Sequence, residues 1–176
     1  MMVALANPSV VGAVLPSSRY LAAAMAEAAD GAQMLVELGA GTGAMTAALR
    51  ARFPTRPLVA VEMQVPLARQ LRERFDDIEV HAAPAHEVLE ALGDAPPATV
   101  LVSSLPFRSL PDLWREPTIA AIERFLLAHP ERRLVQFTYQ PRAPFELQNP
   151  GTLRWTRLLT VWRNVPPAGV WQLRRA

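Results

Sequence analysis

Residues 36–43 read VELGAGTG and place three glycines at alternate positions between an apolar run and a helix-forming segment. They are three of only eight glycines in the chain. A tight turn from a strand into a helix needs residues that accept positive φ, and a ligand reaches the backbone only where side chains are absent. We therefore predict that Gly39, Gly41 and Gly43 form a ligand-binding turn.

Two glutamates flank this glycine turn. Glu37 precedes the first glycine, where its charge would repel a pyrophosphate but could pair with the ammonium group of an amino acid. Glu62 follows the second apolar run, roughly 20 residues after the turn, where a carboxylate can accept hydrogen bonds from both ribose hydroxyls. A nucleoside without phosphate suits both carboxylates. We expect S-adenosylmethionine as the cofactor, with S-adenosylhomocysteine as its product and Met63 in the same site.

Short apolar runs alternate with helix-forming segments up to residue 139, as in the βαβ units of a doubly wound parallel sheet. The predicted strands are 33–38, 58–61, 78–81, 99–103 and 134–139, and the predicted helices are 19–29, 44–51, 65–75, 85–92 and 116–129. Residues 152–163 and 169–174 are strand-like and joined by a segment too short for a helix, which predicts an antiparallel hairpin. The predicted class is α/β and Rossmann-like, with helices on both faces of a mostly parallel sheet.

Composition indicates a folded protein, since 51% of the residues are hydrophobic and 19% are charged. A length of 176 residues suits one domain. We expect this domain to span 1–176, with 1–31 as an N-terminal lid or helix segment and 32–176 as the core. No apolar run reaches the ~20 residues of a membrane span, and no secretory signal is recognisable, so a cytoplasmic location is expected. The absence of cysteine and three scattered histidines argue against a metal site.

Charge is distributed unevenly along the chain. Residues 1–131 hold 10 arginines and 15 acidic residues, a formal charge of −5. Residues 132–176 hold 8 arginines and a single acidic residue, Glu146, a formal charge of +7. A basic segment of this kind can attract the phosphates of nucleic acid or of anionic lipid headgroups.

The loop after the fourth predicted strand reads Ser103-Ser104-Leu105-Pro106-Phe107. In amino-methylating enzymes this loop often carries Asn or Asp, any residue, Pro and an aromatic residue. A side-chain oxygen and a backbone carbonyl then accept hydrogen bonds from the target amine. Here a serine replaces the amide. We expect the amine near Ser104 and the Leu105 carbonyl, with Phe107 beside it; an ordinary turn after a buried strand is the alternative.

Five stretches together resemble the bacterial phospholipid N-methyltransferase family. They are GAVLPSSR (12–19), ELGAGTG (37–43), SSLP (103–106), LVQFTY (134–139) and VWRNVPPA (161–168). The resemblance implies a class I methyltransferase fold with a central seven-stranded sheet. It also implies S-adenosylmethionine-dependent methylation of phosphatidylethanolamine toward phosphatidylcholine. Glu37, Gly39, Gly41 and Glu62 fall on the family's cofactor-binding positions, and Ser103 is assigned to the same site.

Three further residues are assigned to the substrate site, with a solvated surface role as the alternative for the two arginines, and the resemblance implies a location. Tyr20 is expected to close the catalytic site, while Arg19 and Arg108 are expected to hold the lipid phosphate. The expected partners are a phospholipid and an anionic membrane surface, at the inner face of the cytoplasmic membrane. Nucleic acid is not expected as a partner, and no obligate protein partner is indicated.

Two departures from the family leave alternatives open. Ala83 stands where the family commonly has an Asp that contacts the adenine amino group, and residues 1–15 do not match the family's membrane-docking helix. One alternative is an rRNA adenine N6-methyltransferase-like enzyme, whose loop Asn-Leu-Pro-Tyr resembles residues 104–107. Those enzymes usually add a helical RNA-binding domain, whereas this chain ends at the predicted hairpin. Another alternative is a catalytically silent paralogue that binds a cofactor or a lipid.

Overall fold

The computed structural model describes residues 18–176, which form a single mixed sheet with helices on both faces. The strands are β1 (Met34–Leu38), β2 (Leu58–Val61), β3 (Glu79–His81), β4 (Thr99–Ser103), β5 (Arg133–Thr138), β6 (Leu153–Val161) and β7 (Ala168–Arg175). The helices are α1 (Arg19–Ala28), α2 (Ala44–Arg52), α3 (Val65–Arg74), α4 (Ala85–Ala91) and α5 (Asp112–Ala128).

The seven strands lie in the order β3-β2-β1-β4-β5-β7-β6. Strands β1 to β5 are parallel, and β7 pairs antiparallel with both β5 and β6. This confirms the predicted α/β class, the seven-stranded, mostly parallel sheet and the antiparallel C-terminal hairpin. The prediction of one domain over 1–176 stays a prediction. Residues 1–17, including most of the GAVLPSSR stretch and of the expected lid, lie outside the described residues.

The predicted elements are all present, and α5 differs most from its predicted bounds. It begins at Asp112, four residues before the predicted start, and contains Pro117. The earlier start is stabilised by the carboxylate of Asp112 in the first turn, which lies 2.6 Å from Arg115.

Two apolar layers cover the sheet and fix which way its side chains point. Leu35 of β1 belongs to the layer under α1 and α2, whereas Val36 and Leu38 belong to the layer under α4 and α5. Because side chains alternate along a strand, Glu37 points to the same face as Leu35. A glutamate is thereby buried beneath α2.

The five parallel strands end at one edge of the sheet, where the candidate ligand-binding loops gather. The β6–β7 turn lies at the same edge, since Thr138 at the end of β5 pairs with Gly169 at the start of β7. The start of α1 is also there, because the Ser18 N–H donates to Asn164 Oδ1 of this turn at 3.2 Å. One edge therefore combines the glycine turn, the loop after β4, the hairpin turn and the start of α1.

The connection from β5 to β6, residues 139–152, contains no helix and is held by a buried carboxylate. Glu123 of α5 is 1% exposed. It accepts hydrogen bonds from the backbone N–H groups of Gln148 (2.6 Å) and Asn149 (3.1 Å) and from the Asn149 side chain (2.8 Å). Phe145 of the same segment packs on Phe107, with ring centroids 4.6 Å apart. We call residues 139–152 the crossover loop.

Replacing this anchor should destabilise the protein. In Glu123→Ala three part-buried donors of Gln148 and Asn149 lose a charged acceptor, so the free energy of unfolding should fall by about 1.5 to 3 kcal/mol. Urea denaturation measures the change. Glu116→Ala, an exposed acid on the same helix, is the matched control and should change stability by less than about 0.5 kcal/mol. Equal effects of the two substitutions would contradict the anchoring role of Glu123.

Candidate functional site

The glycine turn between β1 and α2 has the backbone conformation that the sequence predicts. Gly39, Gly41 and Gly43 have φ values of 77°, 54° and 83°. A Cβ on Gly39 would lie 2.7 Å from Leu105 Cδ2, so the missing side chain lets the loop after β4 approach the turn. A Cβ on Gly41 would meet nothing within 4 Å. The turn is closely packed at Gly39 and open at Gly41.

Glu37 presents a buried carboxylate behind this turn. It is 0% exposed, and its Oε2 accepts a hydrogen bond from Thr46 Oγ1 at 2.6 Å. Its Oε1 is buried without a hydrogen-bond partner among residues 18–176. Burial raises the pKa of Glu37 to about 8, against the opposing effect of the Thr46 hydrogen bonds, and the negative charge of Glu62 adds to the rise. An orphaned buried acceptor is costly, and a cationic donor from a ligand would remove that cost.

Glu62 joins the glycine turn to the end of β2. Its Oε2 accepts the Gly41 N–H at 2.8 Å, and its Oε1 accepts the Gln64 N–H at 2.8 Å. Each carboxylate oxygen keeps capacity for another donor, and the residue is 7% exposed. Met63 beside it is 46% exposed, which leaves an apolar surface next to the carboxylate.

A pocket of about 260 Å³ adjoins the loop after β4. Its lining residues are Ser104, Leu105, Pro106, Phe107, Arg108, Ser109, Gln136, Phe137, Thr138, Tyr139, Gln140 and Pro144. Ser103 lies beneath it, fully buried, with its Oγ accepting the Leu105 N–H at 3.2 Å. Phe107 is only 3% exposed because its ring packs on Phe145. Tyr139, at 39% exposed, presents the accessible aromatic side chain of this lining.

Sequence reasoning missed Gln136 as a site residue. The side chain is 2% exposed, and its Nε2 donates to the carbonyls of Leu105 (3.1 Å) and Phe137 (3.0 Å). Its Oε1 is buried without a partner in the described part of the chain. The sequence signal was one amide side chain among the apolar residues of LVQFTY. This pattern predicts a strand but does not indicate which groups the amide contacts.

Of the other predicted site residues, Arg108 lines this pocket, whereas Arg19, Tyr20 and Ala83 do not. Tyr20 at the start of α1 is flanked by two guanidinium groups, with the Cζ atoms of Arg19 and Arg163 at 4.9 Å and 5.3 Å from its ring centroid. Arg108 donates to the Ala143 carbonyl at 2.7 Å and so ties the loop after β4 to the crossover loop. Ala83 is partly buried against the layer under α4 and α5.

The described residues contain neither a side-chain group that could hold a metal nor a helix that could cross a membrane. Residues 18–176 contain no group of three or more His, Cys, Asp or Glu side chains placed to hold a metal ion. In the same range no helix is both long and apolar enough to cross a membrane.

The strand order, the antiparallel β7 and the glycine turn after β1 define the class I methyltransferase fold. The SAH-bound Podospora anserina methyltransferase PaMTH1 aligns with a TM-score of 0.63 and 13% identity over 88% of this chain and 77% of that chain. The 23S rRNA methyltransferase ErmE aligns with a TM-score of 0.57 and 22% identity, covering 88% and 67%. TrmN from Thermus thermophilus aligns with a TM-score of 0.60 and 20% identity, covering 89% and 48%. These likenesses establish the fold.

Curated relatives are more similar in sequence but cover less of the chain. The ribosomal RNA small subunit methyltransferase A of Burkholderia multivorans is 40% identical over 98 residues, which are 51% of this chain and 35% of that protein. The Burkholderia ambifaria enzyme of the same name is 40% identical over 96 residues, 50% of this chain and 35% of that protein. The chain thus spans about a third of the length of these relatives. No family model matches the chain.

These relatives correct the predicted partners. The expectation that nucleic acid is not a partner is contradicted, because the matching relatives are ribosomal RNA methyltransferases. The expected phospholipid substrate and anionic membrane surface are contradicted with it, and no finding supports a peripheral membrane location. The physical reason is that ELGAGTG and the SLPF loop suit the methylation of an amine, whichever molecule carries that amine.

Glu37 should give the ligand-free protein a distinctive pH dependence. Its pKa is about 8 when folded against 4.5 as the reference value. Between these values the folded chain binds more protons than the unfolded chain. The free energy of unfolding should therefore fall as pH rises, by at most about 1.4 kcal/mol per pH unit from this group. Above pH 8 this contribution is constant.

The measurement is urea denaturation of the wild type and Glu37→Gln from pH 5 to pH 9. The neutral amide keeps an acceptor for Thr46 but has no ionisable proton. The stability difference between the two proteins should change across the window and level off above pH 8. Parallel stability curves would show that Glu37 does not titrate there.

Proposed function

We propose that the protein is an S-adenosylmethionine-dependent N-methyltransferase whose acceptor is the exocyclic amine of an adenine in RNA. The observation that carries this choice is the composition of the pocket beside Leu105. None of the described residues that line it is Asp, Glu or His. An amine must be neutral to attack a methyl group, and an aliphatic amine, with a pKa near ~10 in water, is protonated at neutral pH. A nucleobase amine is already neutral and needs no general base.

The cofactor side of the site suits S-adenosylmethionine. The orphaned Oε1 of Glu37 is a suitable acceptor for the ammonium group, and the open space at Gly41 lets a ligand lie against the backbone. Glu62 can accept from the ribose hydroxyls, and exposed Met63 offers an apolar contact for the adenine ring. Ala83 offers that ring an apolar wall without a hydrogen bond. When bound, the cofactor supplies a methyl group on a sulfonium and leaves as S-adenosylhomocysteine.

The residues after β4 orient the acceptor in this proposal. The Ser104 hydroxyl can accept a hydrogen bond from the amine at the edge of the pocket, beside the Leu105 carbonyl, where the Gly39–Leu105 approach brings both ligands to one wall. Such positioning replaces a bimolecular encounter by a fixed geometry and supplies much of the rate. Tyr139, exposed in the same pocket, can stack on the base. Phe107 supports this wall from the core.

The nearby arginines supply a surface for the RNA backbone. Arg19 and Arg163 flank Tyr20 at the same edge of the sheet, and Trp162 in the adjoining hairpin turn is 77% exposed. Exposed aromatic rings next to arginines are typical of single-stranded nucleic-acid sites. The C-terminal excess of arginine adds a general attraction for phosphate.

The deciding experiment is transfer of labelled methyl from S-adenosylmethionine. The acceptors are small-subunit rRNA stripped of modification and, in parallel, phosphatidylethanolamine and phosphatidylglycerol vesicles. Label in RNA that is reduced at least tenfold in Glu62→Ala supports the proposal. Label in lipid alone would reject it, and cofactor binding without transfer to any acceptor would leave the silent paralogue as the better description.

Cofactor binding should depend on pH through Glu37. The ionised carboxylate pairs with the ammonium group, so affinity should rise as pH increases from 6 toward 8, and binding at pH 7 should release a proton. Calorimetry in buffers of different ionisation enthalpy measures this release. Glu37→Gln should bind at least about tenfold more weakly at pH 8 and without proton release. Equal proton release by the variant would place the titrating group elsewhere.

RNA binding should weaken as salt rises and should depend on the hairpin turn. Arg163→Ala should reduce the number of counterions released on RNA binding by about one, which lowers the slope of the logarithm of the association constant against the logarithm of salt concentration. Trp162→Ala should weaken binding at every salt concentration. Fluorescence anisotropy with a single-stranded RNA measures both. Arg124→Ala on α5, whose guanidinium pairs with Glu90 at 2.7 Å, is the matched control. An equal effect of all three substitutions would leave only non-specific charge attraction.

A further inference from the structure

The Gln136 carboxamide has an orientation fixed by its surroundings. Its Nε2 donates to two backbone carbonyls, those of Leu105 and Phe137, at 3.1 Å and 3.0 Å. The opposite orientation would place the amide oxygen against both carbonyl oxygens, where no hydrogen bond can form. Oε1 therefore stays on the side where the described residues provide no donor. Such a group costs free energy unless a ligand supplies a donor.

The position of Gln136 connects this orphaned oxygen with the acceptor pocket. The residue pairs with Ser103 across β4 and β5, directly before the loop that carries Leu105, and it borders the pocket. Leu105 lines the same pocket, and its carbonyl accepts from Gln136 Nε2 at 3.1 Å and from the Phe107 N–H at 3.0 Å. Both lone pairs of that carbonyl are therefore occupied, and Gln136 Oε1 is the acceptor that has no donor among the described residues. A primary amine has two N–H donors, whereas a keto oxygen has none.

The geometry points to Gln136 as the residue that selects an amino-bearing base. Its Oε1 accepts an N–H of the adenine amine, so that a keto group at the same ring position is rejected. This inference rests on the proposed function, because it concerns the acceptor of that reaction. Rejection follows because a base that carries oxygen instead of an amine leaves the buried Oε1 without a donor.

The test is a thermodynamic cycle in which the Gln136 amide is replaced on the protein and the amine is replaced on the base. Short uracil-rich single-stranded RNAs carry one central adenine or one central hypoxanthine, its keto counterpart. Their affinities are measured by fluorescence anisotropy with S-adenosylhomocysteine present. The wild type should prefer adenine by about tenfold to a hundredfold. Gln136→Met, similar in length but without an amide, should lose that preference.

Gln140→Met is the matched control, since Gln140 lines the same pocket but is exposed. It should keep the adenine preference. Thermal unfolding and affinity for S-adenosylhomocysteine check that each variant is folded. If Gln136→Met does not fold, the wild type is tested with a purine that lacks the amino group. This base should bind as weakly as hypoxanthine, because it also leaves Gln136 Oε1 unpaired.

The outcomes separate this inference from the proposed function, because binding is measured without turnover. A preference that persists in Gln136→Met, or a wild type without preference, overturns the role of Gln136 even if RNA is methylated. An adenine preference that depends on Gln136 supports the role. If no RNA is methylated, the proposed function fails while that recognition stands.

Discussion

The close approach of Gly39 to Leu105 is the constraint on which the rest of the site depends. Only a residue without Cβ leaves room for the leucine side chain, and the Ser104 N–H then donates to the Leu38 carbonyl at 2.9 Å. The end of β1 and the start of the loop after β4 are thereby joined. Methyl transfer requires donor and acceptor atoms held ~3 to 3.5 Å apart, and two ligand sites that share a wall meet that demand. The alignment of the two ligand sites in the proposed reaction therefore depends on the absence of a side chain at Gly39.

The two halves of the site differ in charge. The cofactor half contains Glu37 and Glu62, and the first of these is held largely protonated by burial until a cation approaches. Among the described residues, the lining of the acceptor half has no acidic or histidine side chain. A positively charged ligand suits one half and a neutral amine suits the other. Under the proposed function, this asymmetry favours a nucleobase over an aliphatic amine as the acceptor.

Sequence patterns were sufficient for most of the fold and for the conformation of the glycine turn. Strand and helix periodicity located every element, and the spacing of Gly39, Gly41 and Gly43 from Glu37 and Glu62 reflects contacts local to two adjacent strand ends. The acceptor half depends on contacts distant in sequence. Phe107 is buried by Phe145, and the role of Gln136 depends on the β4–β5 register, which no local pattern specifies. The phospholipid expectation was wrong for another reason: ELGAGTG and the SLPF loop suit an amine on any molecule, and the relatives that match are ribosomal RNA methyltransferases.

The crossover loop allows the acceptor pocket to change in sequence independently of the glycine turn and the sheet. It contributes Tyr139, Gln140 and Pro144 to the lining, and it is attached through Glu123, through the bond from Arg108 to Ala143 and through the packing of Phe145 on Phe107. Substitutions in this segment can reshape the pocket while leaving the glycine turn and the sheet undisturbed. A lineage that keeps Glu123 can therefore exchange one amine-bearing substrate for another without giving up its methyl donor.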